Sequence, residues 1–435
     1  MSNNIVAIVG RPNVGKSTIF NRFVNERVSI VDDVPGVTRD RIYDRVEWLS
    51  RTFSIIDTGG IQLDNEPFSV EIKAQVDIAI DESDIILFVV DGKSGITNDD
   101  KLIGRLLRHS NKKIIVVVNK IDDVNMINNI YDFYELGFGD PMPVSGLHGI
   151  GVGDVLDEIV HSLEFNNTAA KDDSLAFCVI GQPNVGKSSL VNSMLNQERV
   201  IVSEIEGTTR DAINTPFIVN KKKYTIIDTA GIRKKGKVYE SVEKYSVIRS
   251  LSAIEKSDVV LFLIDGEKGI RDQDKHVAGY AFNARKPIIL LYNKWDLVDK
   301  EVYPFEEMTK KIREEFAYLT FAPILFISAS TKQNIHKLIP LIDDVYNNST
   351  KRIDTSVIND VVLDAQQFNR PKPQNGKMLR IYYSSQVSIA PPTFVMFVND
   401  PSLMHFSYKR YLENRIREAF DFTGTPINLI IRKKT

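Results

Sequence analysis

Lys16 and Lys187 stand 171 residues apart in two near-copies of one string, GRPNVGKST and GQPNVGKSS. Each fits G-x-x-x-x-G-K-[ST], a loop whose backbone N–H groups curl around phosphate oxygens. The lysine adds positive charge and the hydroxyl reaches Mg2+. The candidate phosphate-binding residues of the first copy are Gly10, Arg11, Pro12, Asn13, Val14, Gly15, Lys16, Ser17 and Thr18. In the second copy they are Gly181, Gln182, Pro183, Asn184, Val185, Gly186, Lys187, Ser188 and Ser189. One copy is only suggestive. Two copies, each followed by the same companions in the same order, mark a duplicated nucleotide-binding unit.

The companions keep their distances. Twenty-two residues beyond each lysine lies a threonine, Thr38 in GVTRD and Thr209 in GTTRD. Forty-one residues beyond lies an aspartate, opening Asp57-Thr58-Gly59-Gly60-Ile61 and Asp228-Thr229-Ala230-Gly231-Ile232. Then come Asn119-Lys120-Ile121-Asp122 and Asn293-Lys294-Trp295-Asp296, 103 and 106 residues from their lysines. Ser145-Gly146 and Ser328-Ala329 close the two series. A repeat this long is a duplicated domain; solenoid repeats run to about 20–50 residues.

Each motif has a chemical task. Lys16 and Lys187 are expected to neutralise the β- and γ-phosphates, and the backbone N–H groups at Gly60 and Gly231 to meet the γ-phosphate. Ser17 and Ser188 would give a hydroxyl to Mg2+, Thr38 and Thr209 would complete its shell, and Asp57 and Asp228 would hold it through water. Loss of the γ-phosphate would release both loops, an order–disorder switch. Asp122 and Asp296 are acceptors matched to N1–H and the 2-amino group of guanine. Adenine would leave that carboxylate unpaired, so the chain should select GTP and GDP over ATP. Lys120 and Lys294 are expected to lay their stems along the base, with Ser145 and the Ser328-Ala329 backbone closing the pocket.

These motifs need rigid elements to aim them. IVAIVG, FSIID, IILFVVD and IIVVVNK in the first half, and AFCVIG, YTIID, VVLFLID and PIILLYNK in the second, are continuous apolar runs, as parallel strands covered on both faces require. Helical stretches alternate with them, one spanning Lys16 to Phe23. That order predicts two mainly parallel, doubly wound α/β sheets with ligand loops at the strand carboxyl ends. Residues 1–163 and 175–349 are the expected repeats, with the polar stretch 164–174 as a linker. From Lys351 a different segment begins. MLRIYYSSQVSI, TFVMFV and TPINLIIRKK read as strands and SYKRYLENRIREAF as an amphipathic helix, making a small α/β domain over 350–435.

Composition excludes several classes. Hydrophobic content of 43% and charged content of 26% suit an ordinary globular chain. No apolar run approaches the roughly 20 residues that span a bilayer, and the start MSNN does not read as a signal peptide. A cytoplasmic protein without a membrane partner is expected. The single cysteine, Cys178, falls where Ala7 stands in the first repeat and predicts a buried strand position. The six histidines show no metal-ligand spacing. Net charge is −2, yet the segment from Lys351 holds 13 lysines and arginines against 7 aspartates and glutamates, a hint of an anionic partner.

The succession of two such units and a small basic domain closely resembles the Der (EngA) family, bacterial tandem GTPases of large-ribosomal-subunit assembly. The resemblance covers the whole chain. It rests on GRPNVGKS, GVTRD and DTGG, then GQPNVGKS, GTTRD, DTAGIRKK and NKWD, and on PPTFVMFVNDP and SYKRYLENRIREAF. It implies two P-loop GTPase domains with a KH-like C-terminal domain, GTP hydrolysis, and the large subunit with its ribosomal RNA as partners of a monomer. The G-x-x-G loop of RNA-clamping KH domains is absent, and FTGTP is no substitute, so docking of this domain against a GTPase domain, or against ribosomal RNA by charge and shape, is the alternative to single-stranded RNA reading. Where many small GTPases carry a water-orienting glutamine stand Ile61 and Ile232, which cannot hold water by hydrogen bonding. In GTPases of that kind an asparagine of the phosphate loop often binds K+, which makes Asn13 and Asn184 candidate K+ ligands. The basic loop RKKGK, Arg233 to Lys237, is expected either to be a solvated switch or to face RNA.

Overall fold

The computed structural model describes residues 4–25, 43–49, 51–60, 68–163, 174–196, 200–202, 214–227, 243–373 and 377–434. Thr38, Ile61, Thr209, the stretch Asp228 to Ile232, the RKKGK loop and nearly all of the expected linker lie outside them. Two compact units form, Met1–Asp172 with Gly236–Ser252, and Asp173–Lys235 with Ala253–Thr435.

The first unit is built on a six-stranded sheet. Its strands are β1 (Ile5–Val9), β2 (Tyr43–Trp48), β3 (Arg51–Asp57), β4 (Ile85–Asp91), β5 (Lys113–Asn119) and β6 (Met142–Pro143), in the order β2-β3-β1-β4-β5-β6. All neighbours are parallel except β2, which runs antiparallel to β3. Every residue of β1 and β4 is buried, because helices cover both faces. Ile19, Phe20 and Phe23 pack with Val155, Leu156 and Ile159 on one side. Val76, Ala79, Ile103 and Leu107 cover the other. The first of these helices, Lys16–Asn25, runs slightly past the expected Phe23. The helix Asn98–Arg108 starts from a reciprocal cap, Thr97 and Asp100 each bonding the other's backbone N–H. Strands β1, β3, β4 and β5 therefore end at one edge of the sheet and deliver the phosphate loop, Asp57, Asp91 and Asn119 there.

The second unit repeats this plan with seven strands. β7 (Leu175–Ile180), β8 (Val200–Val202), β9 (Thr215–Val219), β10 (Lys222–Ile227), β11 (Val259–Asp265), β12 (Ile288–Asn293) and β13 (Ile324–Phe326) lie in the order β13-β12-β11-β7-β10-β9-β8. The edge strand β8 pairs antiparallel to β9, which pairs antiparallel to β10. Like β2, β8 and β9 escaped the sequence reading, since β9 alternates between buried and half-buried positions and makes no apolar run. Cys178 is fully buried in β7, and Trp295 packs on Phe326.

The same unit carries a three-stranded sheet, β14 (Ile381–Ser388), β15 (Thr393–Val398) and β16 (Asn428–Lys433) in the order β14-β15-β16. The helices Thr355–Phe368 and Phe406–Ala419 cover it through Ile358, Val362, Leu412 and Ile416. The first of these helices was not anticipated. The turn Phe422 to Pro426 before β16, the FTGTP stretch, docks on the strand starts of the seven-stranded sheet. Gly424 N–H donates to the Phe321 carbonyl at 2.7 Å, and Gly424 O accepts from Ile288 N–H at 2.8 Å. The Asn348 amide donates to Thr423 O, Lys351 Nζ to Asp421 O and Thr425 Oγ1 to Val345 O. The Arg417 guanidinium stacks 5.0 Å from the Phe321 ring. Gly424 holds φ +79°, and a Cβ there would strike Val345, so only glycine fits. This docking meets the second repeat at the sheet edge opposite its phosphate loop.

Candidate functional site

The two phosphate loops are built alike. Lys16 Nζ donates to the carbonyls of Gly10 and Arg11 at 2.6 and 2.8 Å, and Lys187 Nζ to those of Gly181 and Gln182 at 2.8 Å each. Asn13 and Asn184 share a left-handed backbone, φ 64° in both. The next glycines, Gly15 at φ +95° and Gly186 at φ +98°, let each loop turn into its helix.

An asparagine clamps each loop from below. Asn119 Nδ2 donates to Val14 O at 2.8 Å, and its Oδ1 accepts from Gly146 N–H at 2.9 Å. In the second unit Asn293 Nδ2 donates to Val185 O at 2.8 Å and Oδ1 accepts from Ala329 N–H at 3.0 Å. Each asparagine thus ties the G-x-x-x-x-G-K loop to the Ser145-Gly146 or the Ser328-Ala329 loop. A Cβ at Gly15 or Gly186 would collide with that carboxamide. The spacing of the motif showed that the asparagine belongs to the site, but not that it acts as this clamp.

The lysine beside it has a second task. Lys120 Nζ donates to Asn13 O at 2.7 Å and pairs with Asp91 Oδ2 at 2.6 Å. Lys294 Nζ pairs with Asp265 Oδ2 at 2.7 Å. Burial alone would raise the Asp91 carboxyl, but the Lys120 hydrogen bond and the N–H groups of Lys93 and Ser94 hold it below its ordinary value. The Asp265 carboxylate in turn pushes the Lys294 ammonium up. Arg11 adds a further tie in the first unit, bonding Ser94 Oγ and lying 3.4 Å from Asp100. Asp91 and Asp265 were not among the expected site residues. The sequence marks each only as the last residue of an apolar strand run; its pairing with a lysine 29 residues on is a tertiary contact.

At the phosphate end, the Ser17 hydroxyl donates to Asp57 Oδ2 at 2.6 Å, and Gly59 N–H to Asp57 Oδ1 at 2.9 Å. Thr58 is fully buried and donates to Ile8 O, which fixes the start of the loop. Gly59 lies against the Lys16 side chain. Lys16, Ser17, Asp57 and Gly59 are thus brought together, as the spacing implied. At the base end, Asp122 accepts from Ser145 Oγ at 2.6 Å, and Asp296 lies 3.4 Å from Ser330 Oγ. Ile121 and Trp295 are buried in the apolar cores of their sheets. Among the described residues no cluster of histidine, cysteine or acidic side chains could hold a structural metal. None of their helices is long and apolar enough to cross a membrane.

Comparison with known proteins agrees with this geometry. Residues 5–120 and 176–294 both match the family described as 50S ribosome-binding GTPase. Residues 352–432 match the KH-domain-like C-terminal region of EngA bacterial GTPase enzymes. The GTPase Der of Geobacillus kaustophilus strain HTA426 is 57% identical over 435 residues, all of both chains. That of Ligilactobacillus salivarius strain UCC118 is 58% identical over the same span. Among solved structures, an Aquifex aeolicus Era variant bound to GDP.AlF4- is 23% identical, covering 60% of this chain and 92% of its own, with a TM-score of 0.30. Two repeats of one phosphate-loop, clamp and base-pocket architecture, ahead of a KH-like region and matched along their whole length, place the chain in the Der family of tandem-domain GTPases, which bind and hydrolyse GTP.

Proposed function

We propose that the chain couples GTP hydrolysis at two sites to assembly of the large ribosomal subunit, acting in the cytoplasm as a monomer. The observation that carries this reading is the pair of matching asparagine clamps on a chain whose last segment is basic. The description of the matched family supports the large subunit as partner. Residues 1–163 and 175–349 are then the GTPase domains. Residues 350–435 face ribosomal RNA by charge, through exposed side chains such as Arg370, Lys372, Lys377 and Arg410.

Within the first site, Ser17 and Asp57 present a hydroxyl and a carboxylate to one point, a set of hard oxygen donors that fits Mg2+. Ser188 has the same place in the second loop, with Thr209 and Asp228 as its proposed companions. Lys16 and Lys187 orient the phosphates, Gly60 and Gly231 bond the γ-phosphate, and Thr38 and Thr209 sense its presence. Asp122 and Asp296 read guanine. Asn13 and Asn184, equal in conformation, are the proposed K+ ligands. Mg2+ and K+ would supply positive charge where the γ-phosphate leaves, a contribution typically worth ~10²–10⁵ in rate for groups of that kind.

The experiment is co-sedimentation of the full chain with large subunits over a range of salt, with a nonhydrolysable GTP analogue or GDP, beside hydrolysis in KCl and NaCl. Binding should be stronger with the analogue and fall steeply with salt. Replacing Lys372, Lys377 and Arg410 together by glutamate should weaken it and spare basal hydrolysis. Sedimentation indifferent to nucleotide, or to these charges, would sink the coupling. Equal rates in KCl and NaCl would remove the role given to K+.

A further inference from the structure

The loops beside the two base pockets differ in charge at two positions, Lys93 against Glu267 and Ser94 against Lys268. The loop after β4 reads Asp91-Gly92-Lys93-Ser94-Gly95, and the loop after β11 reads Asp265-Gly266-Glu267-Lys268-Gly269. Lys93 Nζ lies 2.6 Å from Asp122 Oδ2, while the Ser145 hydroxyl donates to Oδ1 at 2.6 Å. Both oxygens that would meet the guanine edge are therefore engaged within the chain. The Lys93 hydrogen bond, followed by that of Ser145, holds the Asp122 carboxyl below its ordinary value. In the second pocket Glu267 turns instead to Lys294 at 3.3 Å, and the Ser328 hydroxyl pairs with Ser330. Among the described residues no ammonium or guanidinium reaches Asp296, whose hydrogen-bond contact is the 3.4 Å one to Ser330.

We propose that Lys93 gates the first base pocket: its ammonium competes with guanine for Asp122, so the first site takes up guanine nucleotides more weakly and slowly than the second. This rests on the base-reading role given above to Asp122 and Asp296. A lysine ammonium and the N1–H and 2-amino donors of guanine seek the same negative oxygens, so nucleotide entry returns Lys93 to water. Half of the Lys93 side chain and a quarter of that of Asp122 are exposed, which keeps the exchange cheap. A pair of this kind lowers the open fraction of pockets, and with it the apparent affinity, about two- to fivefold. The loss falls on association, because Lys93 has already left once the base is seated.

Long-range electrostatics predicts the opposite sign. Guanine nucleotides are anions, so a lysine beside the site should speed their arrival and a glutamate should slow it. The direction of the effect therefore separates the gate from a general field.

The test uses the full chain carrying Asp296→Asn, its second site filled with xanthosine diphosphate, and fluorescent GDP as the probe of the first site. Lys93→Gln, which removes the charge, and Lys93→Glu, which copies the second pocket, should each tighten GDP about two- to fivefold. The gain should come from faster association with dissociation unchanged. In the mirror experiment, with Asp122→Asn and xanthosine diphosphate in the first site, Glu267→Lys should weaken GDP at the second site by a similar factor. Unchanged affinity in Lys93→Gln, or weaker binding in Lys93→Glu, overturns the gate and leaves the base reading intact. Two GDP bound per Asp296→Asn chain overturns the base reading itself, and the gate with it.

Discussion

A carboxamide donates at one end and accepts at the other, and Asn119 uses both ends to join Val14 O to Gly146 N–H. Replacing it by aspartate would set an acceptor against the Val14 carbonyl inside a buried site. Asn119→Asp should therefore cost about 1–3 kcal/mol of stability and weaken GDP at the first site. Asn293→Asp should act likewise at the second. Urea unfolding and GDP titration check both, and wild-type values in either would show that the clamp is incidental. That Lys16, Ser17 and Asp57 lie together, and Asp122 beside Ser145, was legible in the sequence, because the chemistry expected of a nucleotide site links residue type to spacing. Asp91, Asp265 and Lys93 were not. They act on other side chains, so their roles depend on tertiary neighbours that no motif records.

At the scale of elements, the buried parallel strands could be read directly because both their faces are covered. The outlying strands β2, β6, β8, β9 and β13, short or only partly covered, could not, and the turn at Gly424 was legible only as a missing RNA-clamping loop. What it does depends on Phe321, Ile288 and Val345, more than 75 residues earlier in the chain. Its backbone extends the hydrogen bonding of one sheet with groups from the region of another. Gly424→Val would meet Val345 and would also force a branched residue to φ +79°. Overpacking and left-handed strain together should cost about 2–4 kcal/mol. Amide exchange at Ile288 should quicken, while GDP affinity at the first site stays as it was. Unchanged exchange at Ile288 would mean that the turn does not hold the two sheets together.

Across the whole molecule, the two units should respond differently to alkali. In the second unit burial pushes up the hydroxyls of Tyr224, Tyr292, Tyr318 and Tyr346, and that of Tyr408 to about 12. Tyr224 also donates to both oxygens of Asp343, which opposes its ionisation further. Among the described residues of the first unit the shifted tyrosine is Tyr134, which lies at the surface and is raised by its hydrogen bond to Asp140. An unfolded tyrosine ionises near pH 10. The folded second unit keeps its buried phenols protonated above that value, so it binds more protons there than its unfolded form does only where the unfolded phenols have already ionised. The stability that these phenols contribute is thus fully present below about pH 10 and is lost as pH rises through the folded values. Tyrosinate absorbance should appear in two stages, an early one from exposed phenols and a late one that coincides with loss of the second unit's near-ultraviolet circular dichroism. Tyr408→Phe should shift the late stage to higher pH, because it removes a phenol whose ionisation favours the unfolded chain. A single stage near pH 10 with the fold intact would show that these hydroxyls reach solvent without unfolding.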